Sequence, residues 1–136
     1  MASTLKLEIV TPEAKIYSED VEMVTLPGVE GEMGIYPMHI PLMTQIASGE
    51  LIARKGGKDH FLAIGEGFVE ITGDHVAVMT DMAIKAENID ETVAEEARQR
   101  AEARLREKLS DEEVASTNAA LANSLAQLKV KRRQQR

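Results

Sequence analysis

The chain has 136 residues, of which 43% are hydrophobic and 29% charged, which is the composition of a globular protein. Its net charge of −7 makes it a poor nucleic-acid binder, because such binding depends on neutralising phosphates with cations. The absence of cysteine excludes disulfides, thiolate metal sites and thiol catalysis. No apolar run approaches the ~20 residues that span a bilayer, and we expect no targeting segment in MASTLKLEIV.

Glycine, proline and charge divide the chain near residue 86. All the glycines and prolines lie between Pro12 and Gly73, and the last fifty residues have neither. Residues 1–86 carry 6 Lys or Arg against 13 Asp or Glu, whereas residues 87–136 carry 10 of each. Such a step in residues that break regular structure marks a domain boundary. We therefore predict two domains, residues 1–86 and residues 87–136.

The first of these segments has the pattern of short β-strands. Apolar residues alternate with other residues, or nearly so, in four runs, which begin at Leu5, Val21, Phe68 and Val76. Turn signals separate the runs: Pro27-Gly28, Gly56-Gly57 and Gly73-Asp74. Strands without intervening helices predict an antiparallel β-sandwich or flattened barrel.

The second segment has the pattern of an antiparallel two-helix hairpin, with about twenty residues in each helix. Small and apolar residues recur every three or four positions in the first helix: Ala94, Ala97, Ala101, Leu105 and Leu109. A capping box, with Ser110 and Glu113, predicts the start of the second helix. Its predicted stripe is Val114, Asn118, Leu121, Leu125 and Leu128. Helices of this length are marginal alone, so this segment is a candidate mobile element.

A segment rich in glycine and proline, LPGVEGEMGIYPMHIPL, occupies residues 26–42. Gly28, Gly31 and Gly34 permit backbone angles that other residues avoid, and Pro37 and Pro41 stiffen the chain. We expect a constrained loop that presents a fixed surface. The segment resembles the signature of the epsilon subunit family of F-type ATP synthases, and the resemblance extends over the whole chain, including the order of its two halves.

The resemblance implies a non-catalytic subunit of the rotor's central stalk, without cofactor or metal. Its partners would be the gamma subunit, the c-subunit ring and the catalytic beta and alpha subunits. It would support ATP synthesis coupled to hydrogen ion transport, as a peripheral protein at the cytoplasmic face of the bacterial inner membrane. The helical tail would lie folded on the sandwich or extend into the catalytic head and inhibit ATP hydrolysis.

The signature segment would form the interface with gamma and the c ring. For His39 we expect a packing or interface role rather than catalysis, because the other histidines, His60 and His75, lie far away in sequence and give no metal-ligand spacing. Glu32 is either a solvated turn carboxylate or, by resemblance, a group that faces the c ring. The interface residues that the resemblance implies are Gly31, Glu32, Gly34, Ile35, Tyr36, Pro37, His39, Pro41 and Leu42.

A degenerate ATP-sensor site is implied at the start of the tail. Some family members bind ATP through the pattern Ile/Leu-Asp-x-x-Arg-Ala and further arginines on both helices. The residues that match here are Ile89, Asp90, Ala94 and Arg100. Val93, Asn123 and Gln127 stand where arginines are expected, so charge-assisted bonds to phosphate are lost. We favour the interpretation that Asp90 is a helix N-cap.

Cations cluster near the end of the chain, at Lys129, Lys131, Arg132, Arg133 and Arg136. They are either a solvated helix end, which favours positive charge, or a contact for an acidic partner surface. By resemblance that surface belongs to the catalytic beta subunits.

The alternative function is a free-standing β-sandwich interaction module with a helical dimerisation tail. The stripe from Val114 to Leu128 is similar to a heptad seam, which supports this alternative. Asn118 and the many alanines favour closure within one chain instead. An enzyme is not supported, because no nucleophile, base or carboxylate pair stands in a recognisable catalytic frame.

Overall fold

A computed structural model describes residues 4–134, which form ten β-strands and two α-helices. A short 3-10 helix, Ala86–Asn88, joins the two parts. The strands are β1 (Leu5–Val10), β2 (Lys15–Val21), β3 (Met23–Gly28), β4 (Gly31–Ile35), β5 (Leu42–Ile46), β6 (Gly49–Lys55), β7 (Lys58–Ile64), β8 (Gly67–Ile71), β9 (His75–Thr80) and β10 (Ala83–Lys85). The helices are α1 (Glu91–Arg104) and α2 (Asp111–Gln134).

The strands form one sheet in the order β10-β7-β6-β3-β5-β8-β9-β1-β2, with β4 paired to β3. The sheet folds over itself into a flattened barrel, which confirms the predicted sandwich. Its strand pairs are antiparallel with one exception, since β1 runs parallel to β9 with Lys6 opposite His75. The alternation in β1 places Leu5, Leu7 and Ile9 in the core, each at most 2% exposed.

Contacts between β2 and the β6–β7 hairpin help to close the barrel. The turn of that hairpin is Gly56-Gly57, at φ +61° and +75°, as the two-residue turn signal predicted. The amide of Gly57 donates to Glu22 Oε1 at 2.8 Å, and Lys55 forms an ion pair with Glu19 of β2. The apolar alternation in this part of the sequence slips by one residue between Met23 and Val24, just after the corner at Glu22 where β2 ends and β3 begins.

The helix starts follow the predicted capping chemistry. Asp90 Oδ1 accepts a hydrogen bond from the Val93 amide at 3.1 Å, which confirms Asp90 as the N-cap of α1. Ser110 and Glu113 exchange reciprocal bonds at 3.2 Å, which is the predicted capping box of α2. The predicted lengths were wrong, since α1 has 14 residues and α2 has 24.

Helix α2 is packed between α1 and the outer face of β6 and β7. Its buried residues are Thr117, Ser124, Ala126, Leu128 and Val130. The predicted stripe was therefore largely wrong: Val114 and Leu125 are 37% and 48% exposed, and Asn118 is exposed. The reason is that α2 buries residues on two nearly opposite faces, with Thr117, Ser124 and Leu128 on one and Ala126 and Val130 on the other. A single apolar stripe does not describe such a helix.

Candidate docking surface and helical tail

The signature segment is a β-hairpin followed by a loop, and not one continuous loop. Strands β3 and β4 pair from Val24–Ile35 to Gly28–Gly31. Only Gly31 of the three signature glycines has a positive φ, at +129°. Gly28 is required for another reason, because a Cβ there would lie 2.6 Å from the Gly31 carbonyl oxygen. Gly34 has neither constraint, so the backbone argument made for it from sequence was wrong.

Strand β4 separates the predicted interface residues into two groups. Gly31 and Glu32 lie at the β3–β4 turn, and Glu32 is an exposed side chain. The loop of residues 36–41 begins at the other end of β4. The four residue steps from Glu32 to Tyr36, at about 3.3 Å each, put roughly 13 Å between the two groups. Ile35 is 1% exposed and belongs to the core, so its contribution to a surface is indirect.

The loop of residues 36–41 holds apolar side chains in solvent. Tyr36, Met38 and Ile40 are 61%, 70% and 75% exposed. Met38 has φ +72°, a conformation that residues other than glycine rarely adopt. Its amide donates to the Gly73 carbonyl at 2.6 Å, which ties the loop to the β8–β9 turn. Strained backbone of this kind clusters at functional positions.

A short hydrogen bond inside the loop also orders His39. Its Nδ1 donates to the neighbouring Ile40 carbonyl at 2.6 Å. Pro37 and Pro41 flank this arrangement, and Leu42, which is 42% exposed, begins β5. His39 therefore supports the shape of the loop in this structure.

The outward face of the adjoining sheet continues this apolar surface. Met43 of β5, Phe68 of β8 and Met79 of β9 are 61%, 50% and 43% exposed. Phe68 pairs directly with Met79 on one side and with Gln45 on the other. Met43 lies two residues from Gln45 on the same face, opposite Glu70. We call the loop and face residues together the apolar patch: Tyr36, Met38, Ile40, Met43, Phe68 and Met79. Clustered exposed apolar side chains of this kind mark interaction sites. Met43, Phe68 and Met79 were not identified from sequence, although Phe68 and Met79 are outward members of alternating runs.

The residues of the degenerate ATP-sensor site do not form a polar cluster. Ile89 and Ala94 are buried at 4% and 2% exposure, and Asp90 caps α1. Arg100 is exposed on α1. The nearby cleft between the helices is lined by Glu91, Thr92, Glu95, Glu96, Gln99 and Arg132. Three carboxylates in one cleft disfavour a polyphosphate.

The basic cluster is largely engaged within the chain. Arg132 contacts Glu91 at 3.3 Å and Glu95 at 3.5 Å, and Lys131 donates to the Ala86 carbonyl at 3.3 Å. Arg133 forms an ion pair with Glu50.

Arg98 and, more weakly, Arg132 hold the pKa of the Glu95 carboxyl below its usual value. Lys129 is exposed, and Arg136 lies outside the described residues.

Two further features of residues 4–134 bear on function. No group of three or more His, Cys, Asp or Glu side chains in that range is arranged to hold a metal ion. None of the described helices is long and apolar enough to cross a membrane.

Family models match nearly the whole chain. Residues 4–86 match the β-sandwich domain of the ATP synthase delta/epsilon chain, and residues 87–132 match its long α-helix domain. The ATP synthase epsilon chain of Dehalococcoides mccartyi is 45% identical, over 93% of this chain and 91% of the relative. That of Desulforamulus reducens is 40% identical, over 95% and 98%.

Solved structures show the same fold. A chain in the Euglena gracilis mitochondrial ATP synthase assembly of OSCP, F1 and c-ring matches with a TM-score of 0.78 and 25% identity, covering 95% of this chain and 81% of that one. A chain of the Tetrahymena thermophila central stalk and c-ring assembly matches with a TM-score of 0.63 and 10% identity, covering 93% and 96%, and supports the fold alone. Sequence motif, strand order, helical tail and relatives agree, and the chain belongs to the ATP synthase delta/epsilon family as an epsilon subunit.

Proposed function

We propose that this chain is a non-catalytic rotor subunit that links the gamma subunit to the c ring in a bacterial F-type ATP synthase. The apolar patch is the observation that carries the proposal. The chain would lie at the cytoplasmic face of the inner membrane as a peripheral protein, held there through the complex. Its role would be to transmit rotation between hydrogen ion transport and ATP synthesis.

The apolar patch is the surface we assign to gamma. It combines a fixed loop with a flat sheet face, so little conformational entropy is lost on docking. Aromatic and methionine side chains are enriched in the buried centres of protein interfaces, and the patch contains Tyr36, Phe68 and three methionines. A mobile loop would lose more conformational entropy on docking, and a polar loop would lack these aromatic and methionine side chains.

The β3–β4 turn is the surface we assign to the c ring. Glu32 lies roughly 13 Å from Tyr36, where the loop of residues 36–41 begins, because extended β4 backbone joins the two. One short segment can therefore contact two partners without overlap. Glu32 offers an exposed carboxylate to polar groups of the ring.

The helical tail, residues 87–136, is the regulatory domain in this proposal, and residues 1–86 are the rotor-binding domain. The tail packs on the sandwich through a cluster of buried residues, Ala63, Ala86, Ile89, Ala126 and Val130. This cluster is separate from the sandwich core, so the tail can undock while the sandwich stays folded. Extended, it would reach the catalytic beta and alpha subunits with its basic cluster and inhibit ATP hydrolysis.

Binding of gamma to the full-length chain tests the role of the patch. Ile40→Asp places a charge in a side chain that is already 75% exposed, so folding should be unaffected. We expect gamma affinity to fall at least tenfold. Val93→Asp is the matched control, because Val93 is 56% exposed on α1, away from the patch. Equal gamma affinity of the two variants would remove the patch from the proposal.

Truncation after residue 86 tests the division of roles. The shortened chain should still bind gamma and couple rotation to hydrogen ion flow, since it retains the core cluster and the patch. ATP hydrolysis by the assembled complex should rise. Unchanged hydrolysis across ADP and Mg²⁺ conditions would argue against an inhibitory tail, and a folded fragment that fails to bind gamma would argue against the boundary.

A further inference from the structure

A buried carboxylate lies beneath α2, on the outward face of β6. Glu50 is 9% exposed and its side chain only 6%. It pairs across the sheet with Ala63 of β7, which belongs to the cluster that packs against α2. Removing a carboxylate from water costs several kcal/mol unless a positive charge compensates. The folded arrangement of α2 therefore requires a cation at this point.

Arg133, in the last turn of α2, provides that cation. Its Nε lies 2.8 Å from Glu50 Oε2. The guanidinium also lies over the Phe61 ring, 5.7 Å from its centroid. No donor among residues 4–134 makes an aligned hydrogen bond to Glu50 Oε2, so this oxygen depends on the charge of Arg133.

The remaining contacts between α2 and the sandwich are apolar packing and hydrogen bonds. The apolar cluster consists of Ala63, Ala86, Ile89, Ala126 and Val130, with Phe61, Met82 and Ile84 packed against it. One neutral hydrogen bond, from Ser48 Oγ to Asn123 Oδ1 at 3.2 Å, joins α2 to the strand region. Lys131 of α2 also donates to the Ala86 carbonyl at 3.3 Å. None of these contacts neutralises the Glu50 carboxylate, which is costly to bury without a cation.

We propose that the Glu50–Arg133 ion pair is the latch that holds α2 on the sandwich. When Arg133 is absent, Glu50 regains hydration only if α2 lifts from the sheet, so loss of the arginine favours the undocked tail. When Glu50 is replaced by glutamine, no buried charge remains, so Arg133 has little effect on the docking of α2. The latch is a property of the isolated chain and does not depend on the proposed function.

Thiol labelling of the full chain tests the latch, because the protein has no cysteine of its own. A reporter made by Ala126→Cys is buried between α2 and the sheet and reacts when α2 lifts. A second reporter, Val78→Cys, lies in the sandwich core and reacts only on global unfolding. Each reporter is combined with Arg133→Gln, with Glu50→Gln, and with both.

We expect Arg133→Gln to accelerate labelling at position 126 at least tenfold, equivalent to about 1.4 kcal/mol, and to change labelling at position 78 less than twofold. In the Glu50→Gln background, Arg133→Gln should change the rate at position 126 less than threefold. Lys129→Gln removes an exposed charge from the same helix and should have no effect.

Three results would overturn the latch. The first is an unchanged labelling rate at position 126 in Arg133→Gln. The second is the same acceleration in both Glu50 backgrounds, which would mean that Arg133 acts through Phe61 or through the helix alone. The third is equal acceleration of the two reporters, which would mean global destabilisation.

Discussion

Gly67 lies at the start of β8, opposite Thr80 of β9, where the two backbones approach closely. A Cβ at position 67 would lie 1.9 Å from the Met79 carbonyl oxygen and 2.9 Å from the Thr80 Cα. The first distance is about 1.6 Å short of the ~3.5 Å at which nonbonded heavy atoms rest. Because the obstacle is backbone, no rotamer change can relieve the clash, and Gly67→Ala must push the strands apart.

The expected cost of Gly67→Ala follows from that displacement. Overpacking of a core by one methyl or methylene group typically costs 1–3 kcal/mol. Here the strands also carry the buried Thr80 hydroxyl, which donates to the Gly65 carbonyl at 2.7 Å and would be displaced with them. We therefore expect the free energy of unfolding to fall by about 3 kcal/mol. For a chain of this size that corresponds to a decrease in Tm of roughly 10 °C.

Urea and thermal unfolding, followed by circular dichroism, measure this cost. Gly73→Ala is the matched control, because no atom lies within 4 Å of its Cβ position and its φ is not left-handed. It should be neutral or slightly stabilising. Gly34→Ala meets only the flexible end of Met23 at 3.1 Å and should cost less than 1 kcal/mol. If Gly67→Ala were as stable as Gly73→Ala, the close approach of β8 and β9 would be refuted.

Ser110→Ala should remove about 1 kcal/mol from α2 and lower the helical signal, since Glu113 loses its capping partner. Burial, together with Glu19, raises the pKa of Tyr17 to about 12 from 10.0. Between pH 10 and about 12 the unfolded state therefore releases a proton that the folded state retains, so unfolding free energy falls, and Tyr17→Phe should flatten that slope. Calorimetry of the full chain with Mg-free ATP should give no micromolar Kd, because Glu95 and two further glutamates line the cleft beside Asp90.

A specific result would contradict each of these three predictions. A Ser110→Ala variant with unchanged helicity and Tm would show that packing alone defines the start of α2. The same pH slope in Tyr17→Phe would assign it to other groups. A micromolar Kd for ATP would show that the site tolerates Val93, Asn123 and Gln127 in place of arginines.

The sequence predicts strands well where one face is buried and the other is in water. β1 and β9 alternate clearly for this reason. The end of β7, Phe61–Ile64, was not assigned because it is apolar at every position. Leu62 and Ile64 enter the sandwich core while Phe61 and Ala63 lie under α2, so both faces are covered. A strand covered on both sides loses its alternation.

Only part of the candidate site could be predicted from the sequence, and the parts that were missed have physical reasons. The Gly-Pro pattern located the loop, but Met38 rather than Gly34 has the left-handed backbone, and tertiary contact with Gly73 imposes it. The cations near the end of the chain predicted either a solvated helix end or a contact with an acidic partner surface, and did not indicate that Arg133 pairs with Glu50 of the same chain. Pairing across 83 positions cannot be inferred from local spacing.

The parallel pairing of β1 with β9 constrains how the chain can fold as it is synthesised. Lys6 can pair with His75 only after the ribosome has synthesised the roughly 70 residues that lead to β9. At 5–20 residues per second, translation takes roughly 4–14 s to make that stretch. During that time Leu5, Leu7 and Ile9 have only the neighbouring hairpin strand for cover. We expect the nascent amino-terminal hairpin to be a binding site for chaperones until β9 emerges, whereas the helical tail, made last, meets a sandwich that can already close.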